Sequence, residues 1–154
     1  MTATAATVST NVQTAPARVS FRALLRVSLI AAVLAAAATE TLTAVVRAAG
    51  VHLAVGNPGG SAASVVPLNP GACAVTVAIC MVFATAIAAL INRLSSRPAR
   101  TYRIVTGGLV LVSLVAPLTA AATSTSTRLT LIAAHLVTAA IVVPLVSRRL
   151  ASTR

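Results

Sequence analysis

Glu40 is the only acidic residue in a chain of 154 residues that carries twelve arginines, no lysine and no aspartate. Besides Glu40, acid–base chemistry would rest on His52, His135 and Tyr102, and the only thiols are Cys73 and Cys80. Glu40 lies inside the apolar stretch "AAAATETLTAVVR", and His135 inside "LIAAHLVTAAIVVPLV". A carboxylate and an imidazole within a membrane are the usual parts of a proton relay, and an ionised carboxylate facing lipid costs about 2.5–3.5 kcal/mol on insertion scales. The pair therefore predicts inward-facing polar chemistry, provided that two helices bring the groups to one level.

The surrounding sequence supplies such helices. The chain is 58% hydrophobic and 8% charged, with a mean hydropathy of +0.97. Soluble domains carry about 25% charged residues, so this composition points to a membrane protein. Four apolar runs fit helices over about 22–47, 71–92, 102–122 and 128–147, and each is close to the ~20 residues that cross a hydrocarbon core. The expected fold class is all-α, a polytopic four-transmembrane-helix bundle occupying 18–149. Residues 1–17 read as a disordered cytoplasmic tail and 150–154 as a second cytoplasmic tail. The longest connection, 48–70, is rich in Gly, Pro, Asn and Ser and reads as a loop. His52 falls in it and reads as solvated rather than catalytic.

Arginine placement orients the bundle. Arg18, Arg22, Arg26, Arg93, Arg97, Arg100, Arg103, Arg148, Arg149 and Arg154 flank one side, and Arg47 and Arg128 the other. Ten against two predicts a multi-pass protein of the bacterial plasma membrane with both termini cytoplasmic. A rival reading takes "VSLIAAVLAA" as the core of a signal peptide cleaved after "AAA", which would leave three spans. Against it, the first arginine comes late and apolar character resumes beyond Glu40.

Helices one and four then run antiparallel. Glu40 precedes Arg47 by seven residues and His135 follows Arg128 by seven, which puts each roughly 10 Å inward from its arginine. The expectation is that Glu40 hydrogen-bonds to His135, with Thr43, Thr76, Ser113 or Thr138 as further partners. Such a pair would be either a polar clasp fixing helix register or a proton or ligand site. A third arrangement keeps Glu40 on its own helix, where Thr43 and Arg47 share its face. Pro117 and Pro144 are expected to kink helices three and four. Pro98 is expected to stop helix continuation, and Ala31, Ala35 and Ala38 to give close helix contact.

Cys73 and Cys80, seven residues apart, face one side of a helix about 10 Å from each other, beyond disulfide reach. No metal spacing, Walker loop, GxSxG or HExxH occurs, so no enzyme activity, cofactor or metal is expected. The arginines flank apolar segments, and the aromatics are only Phe21, Phe83 and Tyr102, which argues against nucleic acid as a partner. The expected partners are the lipid bilayer and a second copy or another membrane protein.

The segments "VSLVAPLTAAAT" and "LIAAHLVTAAIVVPLV", with "VVPLNPGACAV" and "RPAR" before them, resemble a family of small, uncharacterised four-helix membrane proteins of actinobacteria, a domain of unknown function. The matching positions are Ser113, Leu114, Pro117, Leu118, His135 and Pro144. The resemblance implies four retained helices. It implies no activity, substrate or cofactor. Two functional expectations follow from the whole reading: a non-enzymatic structural or accessory membrane protein, or a small transporter or proton-responsive protein using Glu40 and His135.

Overall fold

A computed structural model describes residues 18–152. The expectations for residues 1–17 and for the last two residues lie outside the described part. The chain forms α1 (Phe21–Ala48), α2 (Ala72–Leu94), α3 (Pro98–Ser113), α4 (Val115–Thr119) and α5 (Thr125–Ala151), with a two-residue antiparallel ladder, β1 (Ala54–Val55) and β2 (Val66–Pro67), in the long connection. α3 and α4 together make one span, giving four of 28, 23, 22 and 27 residues. All four are long and apolar enough to cross a membrane.

Small residues let α1 sit at the heart of the bundle. Its buried positions are Leu24, Ser28, Ala31, Ala35, Thr39 and Thr43, a stripe at helical spacing on which α2 and α5 close. Ala31 and Ala35 are fully buried, as small-residue contact requires; Ala38 is half-buried. α3 packs against α5 and, more lightly, α2. The core runs along the bundle from Val77 and Met81 to the end where Leu24, Tyr102, Val146 and Leu150 supply its largest fully buried apolar side chains.

That end is pinned by a side chain acting as backbone. The Asn92 Nδ2 donates to the Val19 carbonyl at 2.9 Å, and its Oδ1 accepts from the Val19 N–H at 3.4 Å. Asn92 and Val19 are both buried. The amide thus fastens the entry to α1 onto the exit of α2. Asn92→Leu would leave both Val19 groups unpaired, and an unsatisfied buried polar group costs about 1–3 kcal/mol. The expected result is a lower Tm in micelles, with helix content retained at room temperature. Tyr102 is different. Its side chain is fully buried and its hydroxyl has no partner among the described residues. Tyr102→Phe should leave Tm unchanged or raised, because the lost oxygen makes no bond. A clear fall in Tm would reveal a bound water on that hydroxyl.

The prolines behave differently from one another. Pro98 does not merely interrupt: it occupies the first turn of α3, where a missing N–H is harmless, so the helix starts four residues before the apolar run. The break expected at Pro117 falls at Leu114, between α3 and α4, because a proline nitrogen cannot bond the carbonyl four residues earlier, that of Ser113. α5 runs continuously past Pro144. It also extends beyond Ser147 through Ala151, into part of the segment read as a tail.

The 49–71 connection is ordered rather than a plain loop. Besides the β1–β2 ladder, the Gly56 N–H donates to Thr123 Oγ1 at 3.1 Å, the Gly59 N–H to the Thr119 carbonyl at 3.2 Å, and the Ala121 N–H to the Asn57 carbonyl at 3.3 Å. These bonds fasten it across the α4–α5 turn. Within it Leu53 is buried and His52 is exposed.

Candidate functional site

Glu40 sits eight residues from the end of α1, on the side that faces the start of α2. α2 begins awkwardly. Its N-cap is Gly71, in the left-handed region with φ +87°, and it has no capping side chain. Pro70 precedes it, and the first amides of any helix lack partners within the helix. Glu40 fills that gap from another helix. Its Oε2 accepts from the Gly71 N–H at 3.0 Å and its Oε1 from the Ala74 N–H at 2.9 Å. The carboxylate is therefore an N-cap supplied in trans, placed where the positive end of the α2 dipole favours negative charge.

Arg47 completes the cluster. It lies two turns beyond Glu40 on α1, its Nη2 donates to the Leu68 carbonyl at 2.8 Å, and its Nη1 makes a long 3.5 Å contact with Thr43 Oγ1. Thr43 in turn donates to the Glu40 main-chain carbonyl at 3.0 Å. One arginine thus holds the chain just before α2, while one carboxylate holds the first turn of α2 itself. The lone acid and its neighbouring cation clamp the same short segment, Leu68–Ala74, at two points.

The expected Glu40–His135 hydrogen bond is not formed. Both Glu40 oxygens are taken by backbone amides, and His135 has gone elsewhere. Its Nδ1 lies 2.7 Å from the Leu131 carbonyl, one turn back on α5. A carbonyl only accepts, so Nδ1 carries the proton in that bond. The ring borders a pocket of about 140 Å³ whose walls include Val55, Gly56, Pro58, Pro117 and Leu131. That pocket lies between the folded connection, α4 and α5, and its walls are apolar apart from the imidazole.

Of the further polar partners considered, Thr43 alone belongs to the Glu40 cluster. Thr76 and Ser113 donate to carbonyls of their own helices, those of Ala72 and Val110, and Thr138 makes no side-chain hydrogen bond among the described residues. Such back-bonding to the preceding turn is how a hydroxyl settles in an apolar helix. Pro144 acts locally as well: its carbonyl accepts from Ser147 Oγ at 3.2 Å. Cys73 and Cys80 are free thiols, one half-buried and one exposed. No group of three or more His, Cys, Asp or Glu side chains gathers at metal-binding distance among the described residues.

Matching by depth and residue type did not reveal the partners of Glu40, because they are main-chain N–H groups, which every non-proline residue carries. The available signal was a helix start with a Gly–Ala opening, a preceding proline and no Ser, Thr, Asp or Asn to cap it.

Compared with known proteins, residues 19–152 match the model of a family described as a family of unknown function (DUF6069). No curated protein and no solved structure matches the chain.

Proposed function

The chain belongs to the family of unknown function DUF6069, which carries no activity to transfer, and we propose from its geometry that it is a non-enzymatic accessory membrane protein whose bundle holds a folded extramembrane connection in place. One observation carries this reading: the only carboxylate spends both oxygens on the Gly71 and Ala74 amides. A group so engaged fixes one helix to another. Arg47 on Leu68 and the bonds from Gly56 and Gly59 to Thr123 and Thr119 support the same role, since they hold the connection at both ends.

In this reading the protein resides in the bacterial plasma membrane with both termini cytoplasmic, as the ten-to-two arginine bias favours. Its partners are the bilayer and a second copy or another membrane protein, and nucleic acid is not among them. The alternative, a small transporter or proton-responsive protein working through Glu40 and His135, has less support, since the two groups bond to different backbone atoms.

Proton flux in proteoliposomes under an imposed pH gradient tests the choice, with wild type beside Glu40→Gln and folding checked in both. The accessory reading expects neither protein to exceed empty liposomes, and Glu40→Gln to melt earlier. Wild-type flux that vanishes in a folded Glu40→Gln would overturn it in favour of transport.

A further inference from the structure

The end of the bundle opposite Glu40 carries nine arginines among the described residues: Arg18, Arg22, Arg26, Arg93, Arg97, Arg100, Arg103, Arg148 and Arg149. Asn92 on Val19 brings the start of α1 to the end of α2, the short 95–97 connection leads directly into α3, and Leu150 shares the core with Val19, Ala99 and Tyr102. All nine therefore stand around one end. Eight are exposed and Arg149 is half-buried. The one guanidinium hydrogen bond found there joins Arg149 to Ser152 at 3.1 Å. No carboxylate side chain can answer this charge, because the chain's single one is committed at the other end.

Orientation within the membrane requires only an excess of cations on one side. The placement here goes further, because some of these charges oppose their own helices. Arg22 lies in the first turn of α1, and Arg97 and Arg100 are the N-cap and first turn of α3. Neither helix has an acidic residue in its first turn. A helix N-terminus is the positive end of the dipole, so cations there are unfavourable until a counter-charge arrives. Arginine also presents a planar fork that suits phosphate oxygens in bidentate fashion.

We propose that this arginine-ringed end is a binding surface for anionic lipids, whose head groups carry the net negative charge that zwitterionic lipids lack and that α1 and α3 lack at their N-termini. Juxtamembrane clusters of four to eight basic residues commonly read as anionic-lipid sites. This cluster of nine exceeds that number, and the Asn92 fastening and the shared core bring it to one end of the bundle. The surface is independent of the role assigned to Glu40.

The test uses the full chain in nanodiscs of phosphatidylcholine, alone or with a fraction of phosphatidylglycerol, and reads Tm. Wild type should melt higher with phosphatidylglycerol. The triple variant Arg22→Gln/Arg97→Gln/Arg100→Gln should lose most of that gap, yet be at least as stable as wild type in phosphatidylcholine alone, because cations opposed by the dipole have been removed. A salt series on wild type needs no variant to fold: the gap should shrink toward about 1 M salt, where the screening length is about 3 Å. Equal Tm in the two bilayers, a gap indifferent to salt, or a gap fully kept by a folded triple variant would overturn the proposal. An equal rise produced in phosphatidylcholine by inorganic phosphate would also overturn it, by making a free anion the ligand.

Discussion

Replacing Glu40 with alanine is expected to lower the stability of the bundle by about 3 kcal/mol, from two charge-assisted hydrogen bonds each counted at the low end of their usual range because the site is only half-buried. The Gly71 and Ala74 amides would lose their acceptors together, and the N-cap, a glycine, has no side chain to replace them. Unfolding in mixed micelles, followed by circular dichroism, gives the measurement. Two milder variants separate charge from geometry. Glu40→Gln keeps one acceptor oxygen and should cost roughly half as much. Glu40→Asp keeps the charge but is shorter by one methylene, so it can retain one amide and not both. Stability unchanged in Glu40→Ala would mean that water caps α2 equally well, and the carboxylate would then need another reason to be in the membrane. Ser113→Ala is a suitable control, since that hydroxyl bonds only the Val110 carbonyl of its own helix.

Gly56→Ala is expected to free the 49–71 connection from the bundle. A Cβ at this position would overlap the carbonyl oxygen of Ala121, and that obstacle is backbone, which cannot rotate away. The chain around Gly56 must therefore lift, breaking its bond to Thr123 and loosening those from Gly59 to Thr119 and from Ala121 to Asn57. Overpacking of this kind typically costs about 1–3 kcal/mol, and local undocking should show before global unfolding. Proteinase K added to the folded protein in nanodiscs should cut within 53–68 much faster than in wild type. Gly59→Ala provides the contrast. Gly59 has φ +66° with open space around it, so alanine there brings modest backbone strain, about 1 kcal/mol. Its connection should stay docked and resist the protease. If both variants were cut alike, the contact of Gly56 with Ala121 would not be what holds the connection down.

The spans were readable because lipid demands a long apolar run, and each run is interrupted by arginines, by turn residues or by both. The ends were less readable where helices leave the apolar zone. "PARTY" begins α3 with two arginines nearby, and nothing apolar marks it, but proline in a first turn is a legitimate start. The break between α3 and α4 was half-legible: Pro117 announced it, while its position at Leu114 follows from which carbonyl loses its donor. The tertiary role of Glu40 was hidden for a deeper reason. Seven residues from its flanking arginine, as His135 is from its own, it suggests a side-chain partner by residue count, whereas backbone amides have no residue signature. His135 in turn found the Leu131 carbonyl on its own helix, a partner available to a histidine on any helix. The folding of the 49–71 connection escaped because its ladder is two residues long, too short for any alternation to show.

The trans cap also bears on how the protein assembles as it leaves the ribosome. Glu40 enters the membrane before its acceptors' partners exist, but Gly71 and Ala74 follow only 31 and 34 residues later. The α1–α2 hairpin can therefore satisfy its one buried-run carboxylate as soon as the second span arrives, without waiting for the rest of the chain. α5, the other large surface packed on α1, comes last. The acid thus acts as an early latch in a synthesis-ordered build, sparing the half-made protein a lone carboxylate in lipid while two of its four spans are still to come.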